Sequence, residues 1–312
     1  MSSLDLIFLG TGGAWPIPEL SCDCRICQEM RRKKEQRKRT ALLLRGQSTL
    51  LIDCGPDIAA QLSGYNLGKL DGVLITHEHG DHYLGLDALS CFKRRCPRDR
   101  HVPVPVFITP ESLEVVRGHF GYLDQSGVIE FRLIEPGRSF SFKEFHFLPF
   151  KTNHGSFAPG SVGYVIECPG TKGQGIRMVY TSDLVDLPTS PQALFDPDYL
   201  IIQAFWLNEP RENRANHLSF QRAIEYIKQW KPRKEIYLVH IGDGDAVPGD
   251  PANAMAKKIE PGNPLSSPSS GRPYPVPLNQ EQWQETVNQI LKDYELPFKV
   301  TVAYDHLCVP LL

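Results

Sequence analysis

The chain has no apolar run approaching the ~20 residues a helix needs to cross a bilayer, which argues against a membrane span. A basic leader is missing as well. The opening MSSLDLIFLG carries no Lys or Arg, and its apolar run extends only from Leu6 to Leu9, so a standard secretory signal is not expected. Net charge is nearly absent. At −2, the surface offers no global attraction for nucleic acid or anionic membranes. No internal repeat stands out. Cysteines number eight, and three are bunched as Cys22, Cys24 and Cys27, which is no disulfide framework for 312 residues. Metal binding in a reducing cytoplasm is the better reading, with a redox or disulfide role as the rival.

What remains is an ordinary soluble composition, 41% hydrophobic and 22% charged, in a chain long enough to bury a large core. We expect a single domain over 1–312. Leu4 to Leu9 reads as a buried strand stopped by Gly10-Thr11-Gly12-Gly13. Ala41 to Leu44 and Thr49 to Asp53 flank a hairpin signal, as do Gly163 to Glu167 and Ile176 to Thr181 around the loop 169–175. Further strands are expected at Val73 to Thr76, Pro103 to Thr109, Tyr199 to Gln203 and Glu235 to His240. Two more fall within Phe140 to Asn153, divided near Lys143-Glu144, and Lys299 to Tyr304 is the expected last strand. Tyr83 to Phe92 reads as a helix, and another starts at Pro110. Ser219 caps a third, with the stripe Ala223, Ile224, Ile227 and Trp230. Asn279 with Gln282 resembles a capping box for a fourth, with Trp283, Val287, Ile290, Leu291 and Tyr294 on one face. Strands interspersed with helices predict mixed sheets with helices packed outside. Residues 244–278 are rich in Pro, Gly and Ser and should form an irregular surface insertion, either a lid or a contact between two copies.

The densest chemistry lies in Thr76-His77-Glu78-His79-Gly80-Asp81-His82, directly behind the apolar Val73-Leu74-Ile75. Extended-chain spacing points His77 and His79 to one side, and Asp81 continues that direction. Imidazole and carboxylate together suit zinc, iron or manganese. His154, Asp183 and His240 each follow an apolar strand, at the tips where loops gather into a site. A metal-dependent hydrolase is the reading these residues support.

With Phe8-Leu9-Gly10-Thr11-Gly12, Leu51-Ile52-Asp53-Cys54-Gly55, the H-x-H-x-D-H segment, His154, Asp183 and His240 in this order, the chain resembles the metallo-β-lactamase-fold hydrolases. The resemblance implies an α+β fold, an αββα sandwich of two mixed sheets, with two metals at its edge. It implies that His77, His79 and His154 hold one ion, that Asp81, His82 and His240 hold the other, and that Asp183 bridges them. Asp53 would orient a ligand rather than bind metal. A water shared by two cations, its pKa lowered, would supply the nucleophile, which makes Asp81 part of the catalytic set. Zinc, manganese and iron all fit such donors.

Cys22-Asp23-Cys24-Arg25-Ile26-Cys27 after a G-T-G-G opening is similar to a narrower branch, the phosphoribosyl cyclic phosphodiesterase of phosphonate degradation and its relatives. Three soft thiolates on a short loop suit a structural zinc. The branch's fourth ligand falls at Asp243, with His306 and Cys308 as rivals. His217 matches the branch's histidine that contacts the substrate phosphate and protonates the leaving oxygen. The implied substrate is a small (cyclic) phosphodiester. Ribonuclease Z shares the ligands, but nothing between Asp183 and His217 is long enough for its tRNA-gripping arm. A pyrroloquinoline-quinone-biosynthesis B-like protein is a further alternative, which the intact metal set disfavours. The basic run Arg31 to Arg39 lacks interleaved aromatics, so a solvated helix face is favoured over a nucleic-acid grip.

Overall fold

The computed structural model describes residues 4–97, 99–168, 170 and 175–311. Strands β1 (Asp5–Gly10), β2 (Ala41–Arg45) and β3 (Thr49–Ile52) form an antiparallel meander, from which β4 (Gly72–Leu74), β5 (Val104–Ile108) and β6 (Ile129–Leu133) continue in parallel. The second sheet repeats this plan. There β7 (Phe140–Phe142), β8 (Phe145–Lys151), β9 (Val162–Cys168) and β10 (Ile176–Tyr180) run antiparallel, and β11 (Tyr199–Gln203), β12 (Glu235–Val239) and β13 (Val300–Val302) follow in parallel. Finally β14 (Leu307–Pro310) returns to the first sheet beside β1, giving seven strands in each.

Alternation along each strand divides its side chains between two cores. Phe8, Leu42, Leu50 and Leu74 of the first sheet meet Phe147, Tyr164, Met178 and Tyr237 of the second. Their neighbours Ile7, Leu43, Leu51 and Val106 face outward, under α2 (Ile58–Leu62) and α5 (Pro110–Gln125). On the far side, Val179, Leu200, Ile202 and Leu238 pack against α6 (Phe220–Trp230) and α7 (Gln280–Asp293). The result is the expected α+β arrangement of two mixed sheets between outer helices. Each fully buried aliphatic of the α6 stripe contributes about 1.5–3 kcal/mol.

Local chemistry sets the helix ends. Ser219 accepts from the Arg222 amide and starts α6. Asn279 accepts from the Gln282 amide, while Gln282 reaches back to the Leu278 amide, one residue beyond a standard capping box. The 163–181 hairpin forms as β9 and β10; residues 169 and 171–174 of its loop lie outside the described residues.

Several expectations need correction. Tyr83 to Phe92 is not one helix but α3 (Gly80–Tyr83), a 3-10 turn at Leu86–Leu89 and α4 (Ser90–Arg95). The break lies at Gly85, whose amide donates to the Cys54 carbonyl and where an added Cβ would sit 2.0 Å from the Gly55 oxygen. Lys299 to Tyr304 supplies β13 but not the last strand, since β14 follows. Both β14 and β6 are half-exposed edge strands with too little apolar character to stand out. The basic run is only partly a helix face. Here α1 (Arg25–Lys33) ends at Lys34, and beyond it Arg37 is buried, donating to Thr11 and the Ala303 carbonyl. Residues 244–278, expected as a surface insertion without regular structure, contain a 3-10 turn at Pro251–Ala254 and pack into the fold at several points. Val247 joins Ile17, Ile26 and Met30 in a small core, Tyr274 packs against the second sheet's helices, and Asp250 accepts from the Arg25 amide at the start of α1.

Candidate metal centre

The parallel strands end at one rim of the sandwich, and the ligand-type residues lie on the loops that leave it. His77, His79, Asp81 and His82 follow β4, while His154 follows β8, Asp183 follows β10 and His240 follows β12. Their ligand atoms form two groups, each within 4.8 Å: His77, His79 and His154, and then Asp81, His82, Asp183 and His240. Asp183 links the two. Its Oδ2 lies 3.0 Å from His240 Nε2, 3.4 Å from His82 Nε2 and 3.7 Å from His154 Nε2. His217 joins His154 and Asp183 in a third overlapping group.

The hydrogen bonds behind these side chains fix which ring nitrogen faces inward. Asp53 accepts from His82 Nδ1 at 2.8 Å, and His154 Nδ1 donates to the Asn216 carbonyl at 2.8 Å. Asp53 also accepts from the Thr76 amide and hydroxyl, and that hydroxyl is 3.0 Å from His77 Nδ1. With each Nδ1 engaged, Nε2 of His77, His82 and His154 is the nitrogen turned to the interior, where it can bind once it carries no proton. His154 Nε2 and His79 Nδ1 then face one another at 3.0 Å, a spacing suited to two ligands on one ion. Asp53 thus sits behind His82 and Thr76 rather than at the centre itself.

Four buried residues point polar atoms at this centre that the chain leaves unsatisfied: His77 Nε2, His82 Nε2, His240 Nε2 and Asp183 Oδ1. Buried polar atoms are rarely left so, and here they converge. Burial opposes charge on His82, but Asp81, Asp53 and Asp183 outweigh it and push its pKa well up. Burial likewise opposes ionisation of Asp183, yet His240 and His82 hold it well below the usual carboxylate range. For His77 burial dominates and pushes the pKa well down, so it offers a lone pair. The donor set fits two divalent cations.

The backbone is strained where it serves the site. Asp53, Ser182, Asn216 and His240 have φ of 66°, 55°, 53° and 56° without being glycine, each costing about 1–3 kcal/mol. Gly55 permits a close approach: an added Cβ would meet the Asp81 carbonyl oxygen at 2.0 Å.

A second centre lies beside α1. Cys22, Cys24, Cys27 and Asp243 place their ligand atoms within 4.8 Å of one another, all buried. His306 is instead bonded to Tyr65 and Cys308 is exposed, so neither rival is brought to the cysteines. Asp243 Oδ2 lies 3.2 Å from Cys27 Sγ. A hydrogen bond from the Cys27 thiol lowers the pKa of Cys24 against the effect of burial, giving it the thiolate character a soft metal requires. Lys257 from the insertion bonds Asp243 at 2.5 Å and Glu19, and buried Lys258 holds the Asp243 and Asp245 carbonyls.

Two supporting residues went unnoticed in the sequence. Glu78 is buried and accepts from Ser112 Oγ at 2.6 Å and the Gly160 amide at 3.0 Å, anchoring the loop between the two histidines. Its signal was the alternation itself, which turns Glu78 away from His77 and His79. Gln203 is fully buried beside His217, and a polar residue closing an apolar strand was its only mark. His101, His119 and His146 bond Gly127, Tyr83 and Ser141, away from the centre.

A profile of the β-lactamase superfamily domain matches residues 48–241, more than half of the chain. An octanoyltransferase of Porphyromonas gingivalis is 27% identical over 246 residues, 75% of this chain but 45% of that protein, so the chain spans less than half its length. A ribonuclease Z of Lachnoclostridium phytofermentans is 26% identical over 288 residues, covering 76% of this chain and 87% of that one. The crystal structure of a diphosphatase from the PhnP family superposes with a TM-score of 0.68 at 21% identity, covering 99% and 97% of the two chains. At that identity the likeness concerns the fold.

Proposed function

The chain belongs to the β-lactamase superfamily, and from that membership we propose that it is a dinuclear metal-dependent hydrolase of small, cyclic phosphodiesters. The observation that carries the reading is the pair of ligand groups joined by Asp183, with its convergent unsatisfied nitrogens. His77, His79 and His154 would hold one cation, Asp81, His82 and His240 the other, and Asp183 both. Zinc or manganese suits these donors, and iron is also compatible. Two such ions supply an acidified water and a clamp for phosphoryl oxygens.

The chain's own residues do the rest. Asp53, Thr76 and the Asn216 carbonyl fix imidazole orientation, and Glu78 holds the His77–His79 turn. His217, stacked 4.3 Å from Phe205 with its Nδ1 3.7 Å from Asp183 Oδ2, is near enough to the centre to contact a phosphate bound there. Cys22, Cys24, Cys27 and Asp243 would hold a structural zinc that steadies the segment from Asp243 back to His240.

The test is metal-loaded protein assayed against bis-p-nitrophenyl phosphate and the 2′,3′- and ribosyl-1,2-cyclic phosphates. Turnover of at least one is expected, and inertness toward all three with full metal content would sink the reading. Processing of tRNA 3′ ends is the second reading, favoured by the ribonuclease Z match. Against it, part of the basic run is already paired within the chain: Arg32 with Glu29, Lys33 with Glu281 and Arg39 with Asp57. A clean product from 3′-extended precursor tRNA would reverse the ranking. Among the described residues no helix is long and apolar enough to cross a membrane.

A further inference from the structure

Gln203 sits fully buried between the loops that carry Asp183 and His217, and its two amide atoms have unequal duties. Its Oε1 accepts from the Leu184 amide at 3.1 Å and from the Leu218 amide at 3.0 Å, the residues that follow Asp183 and His217. Its Nε2 lies 2.7 Å from His217 Nδ1. A flipped amide would turn its NH2 toward two backbone donors at once, so the hydrogen-bond network decides the orientation. Gln203 Nε2 therefore donates, and His217 Nδ1 must accept. The competing acceptor, Asp183 Oδ2, is 3.7 Å from Nδ1 and out of hydrogen-bond range.

An imidazole whose Nδ1 accepts carries its proton on Nε2, and it is neutral. The rest of the surroundings hold the ring still. Phe205 stacks on it at 4.3 Å with an interplanar angle of 13°, and Asn213 brackets its backbone, donating to the His217 carbonyl and accepting from its amide. A neutral ring that surrendered its Nε2 proton would become an imidazolate, an implausible leaving state near neutral pH. Such a ring serves as a fixed hydrogen-bond donor.

We propose that Gln203 is a positioning residue that locks His217 as a neutral Nε2–H donor to a non-bridging phosphoryl oxygen, so that His217 does not protonate the leaving group. No proton changes hands at this ring: the Nε2–H bond stays intact. A water-derived oxygen bonds to phosphorus, the phosphorus–oxygen bond to the leaving group breaks with its electron pair departing on the leaving oxygen, and an alkoxide so released takes its proton from water. This rests on the hydrolytic reading above and replaces the general-acid role expected for His217.

Two measurements test it, and one needs no activity. Side-chain 1H–15N correlation spectra of zinc-loaded protein report which ring nitrogen of His217 bears hydrogen. The wild type should show Nε2–H with a bare Nδ1, and Gln203→Glu, whose carboxylate accepts, should move hydrogen onto Nδ1. A wild-type ring protonated at Nδ1, or a pattern the substitution leaves unchanged, overturns the inference. Should Gln203→Glu fail to fold, Gln203→Met serves as the second variant, for which a mixture of tautomers is expected and a pure Nε2–H pattern counts against the role of Gln203.

The second measurement compares His217→Ala on two substrates. Bis-p-nitrophenyl phosphate releases a phenolate that needs no proton, whereas a 2′,3′-cyclic phosphate releases an alkoxide that does. A donor to a non-bridging oxygen predicts the same fold loss of kcat on both, roughly 10²-fold or more, as for removal of one preorganised donor. A loss confined to the cyclic phosphate would restore the general acid and refute the proposal. Inertness of the metal-loaded wild type toward all three phosphodiesters would sink the hydrolytic reading alone, and the spectra would still decide the tautomer.

Discussion

Replacing Asp53 by Asn changes no volume and yet should disable one metal position. The carboxylate takes the His82 Nδ1–H at 2.8 Å through Oδ2 and the Thr76 amide at 2.9 Å through Oδ1. An Asn amide can keep the Thr76 contact with its oxygen, but its NH2 then faces His82 Nδ1, donor against donor. His82 escapes only by moving hydrogen to Nε2, the atom 3.0 Å from Asp81 Oδ2 and 3.4 Å from Asp183 Oδ2. That nitrogen is then lost as a ligand. Changes behind a metal ligand typically weaken binding about 10- to 100-fold, or roughly 1.4–2.8 kcal/mol. A charged hydrogen bond of about 1.5–3 kcal/mol gives the same scale. Zinc titration against a chromophoric chelator, fitted to three sites so that the cysteine site is counted separately, measures it. The Asp81–His82–His240 position should weaken by that factor, and the His77–His79–His154 position by much less. Unchanged affinity at both, or the larger loss at the His77 position, would refute the reasoning about ring orientation.

Asp183→Ala should release metal and abolish turnover, which elemental analysis and the phosphodiester assay would show together. Gly55→Ala forces a Cβ to within 2.0 Å of the Asp81 carbonyl, so a loss of about 1–3 kcal/mol in chemical unfolding is expected, with weaker metal retention. Cys24→Ala removes a soft ligand and the cap of α1, and zinc content should fall by one equivalent while the active-site pair stays filled. Burial raises Asp305 from 3.8 to about 6, outweighing the Lys38 amide and Arg37, so its folded form holds the proton more tightly than the unfolded chain. The associated stability is present below pH about 4 and lost as pH rises through about 6. Asp305→Asn should therefore gain on the wild type across that window, by up to ~3 kcal/mol from about two pKa units. A gap between the two proteins that stays flat with pH would contradict this.

Much of the centre was legible because its ligands are crowded. His77, His79, Asp81 and His82 occupy six positions, and apolar strands announce His154, Asp183 and His240 in turn. Asp243 was legible only through resemblance, and the structure brings it to the three cysteines. Glu78 and Gln203 were hidden because their work is done through hydrogen bonds to residues 34 and 14 positions away, which no local pattern encodes. Of the architecture, strands buried on both faces were plain, while β6 and β14 were missed since edge pairing leaves half their side chains in water. The division of Tyr83 to Phe92 was illegible for a tertiary reason: a backbone contact to Cys54, not helix propensity, ends α3.

Each ligand group takes members from both sheets: His77 and His79 from the first with His154 from the second, Asp81 and His82 from the first with Asp183 and His240 from the second. A cation seated there would be a rivet through the seam of the sandwich. It could be set only after the two halves had docked, so metal uptake would come late in folding and report on it. Chelation should then act mechanically as well as chemically, easing the rim apart and exposing it to proteases while the hydrophobic centre of the sandwich holds.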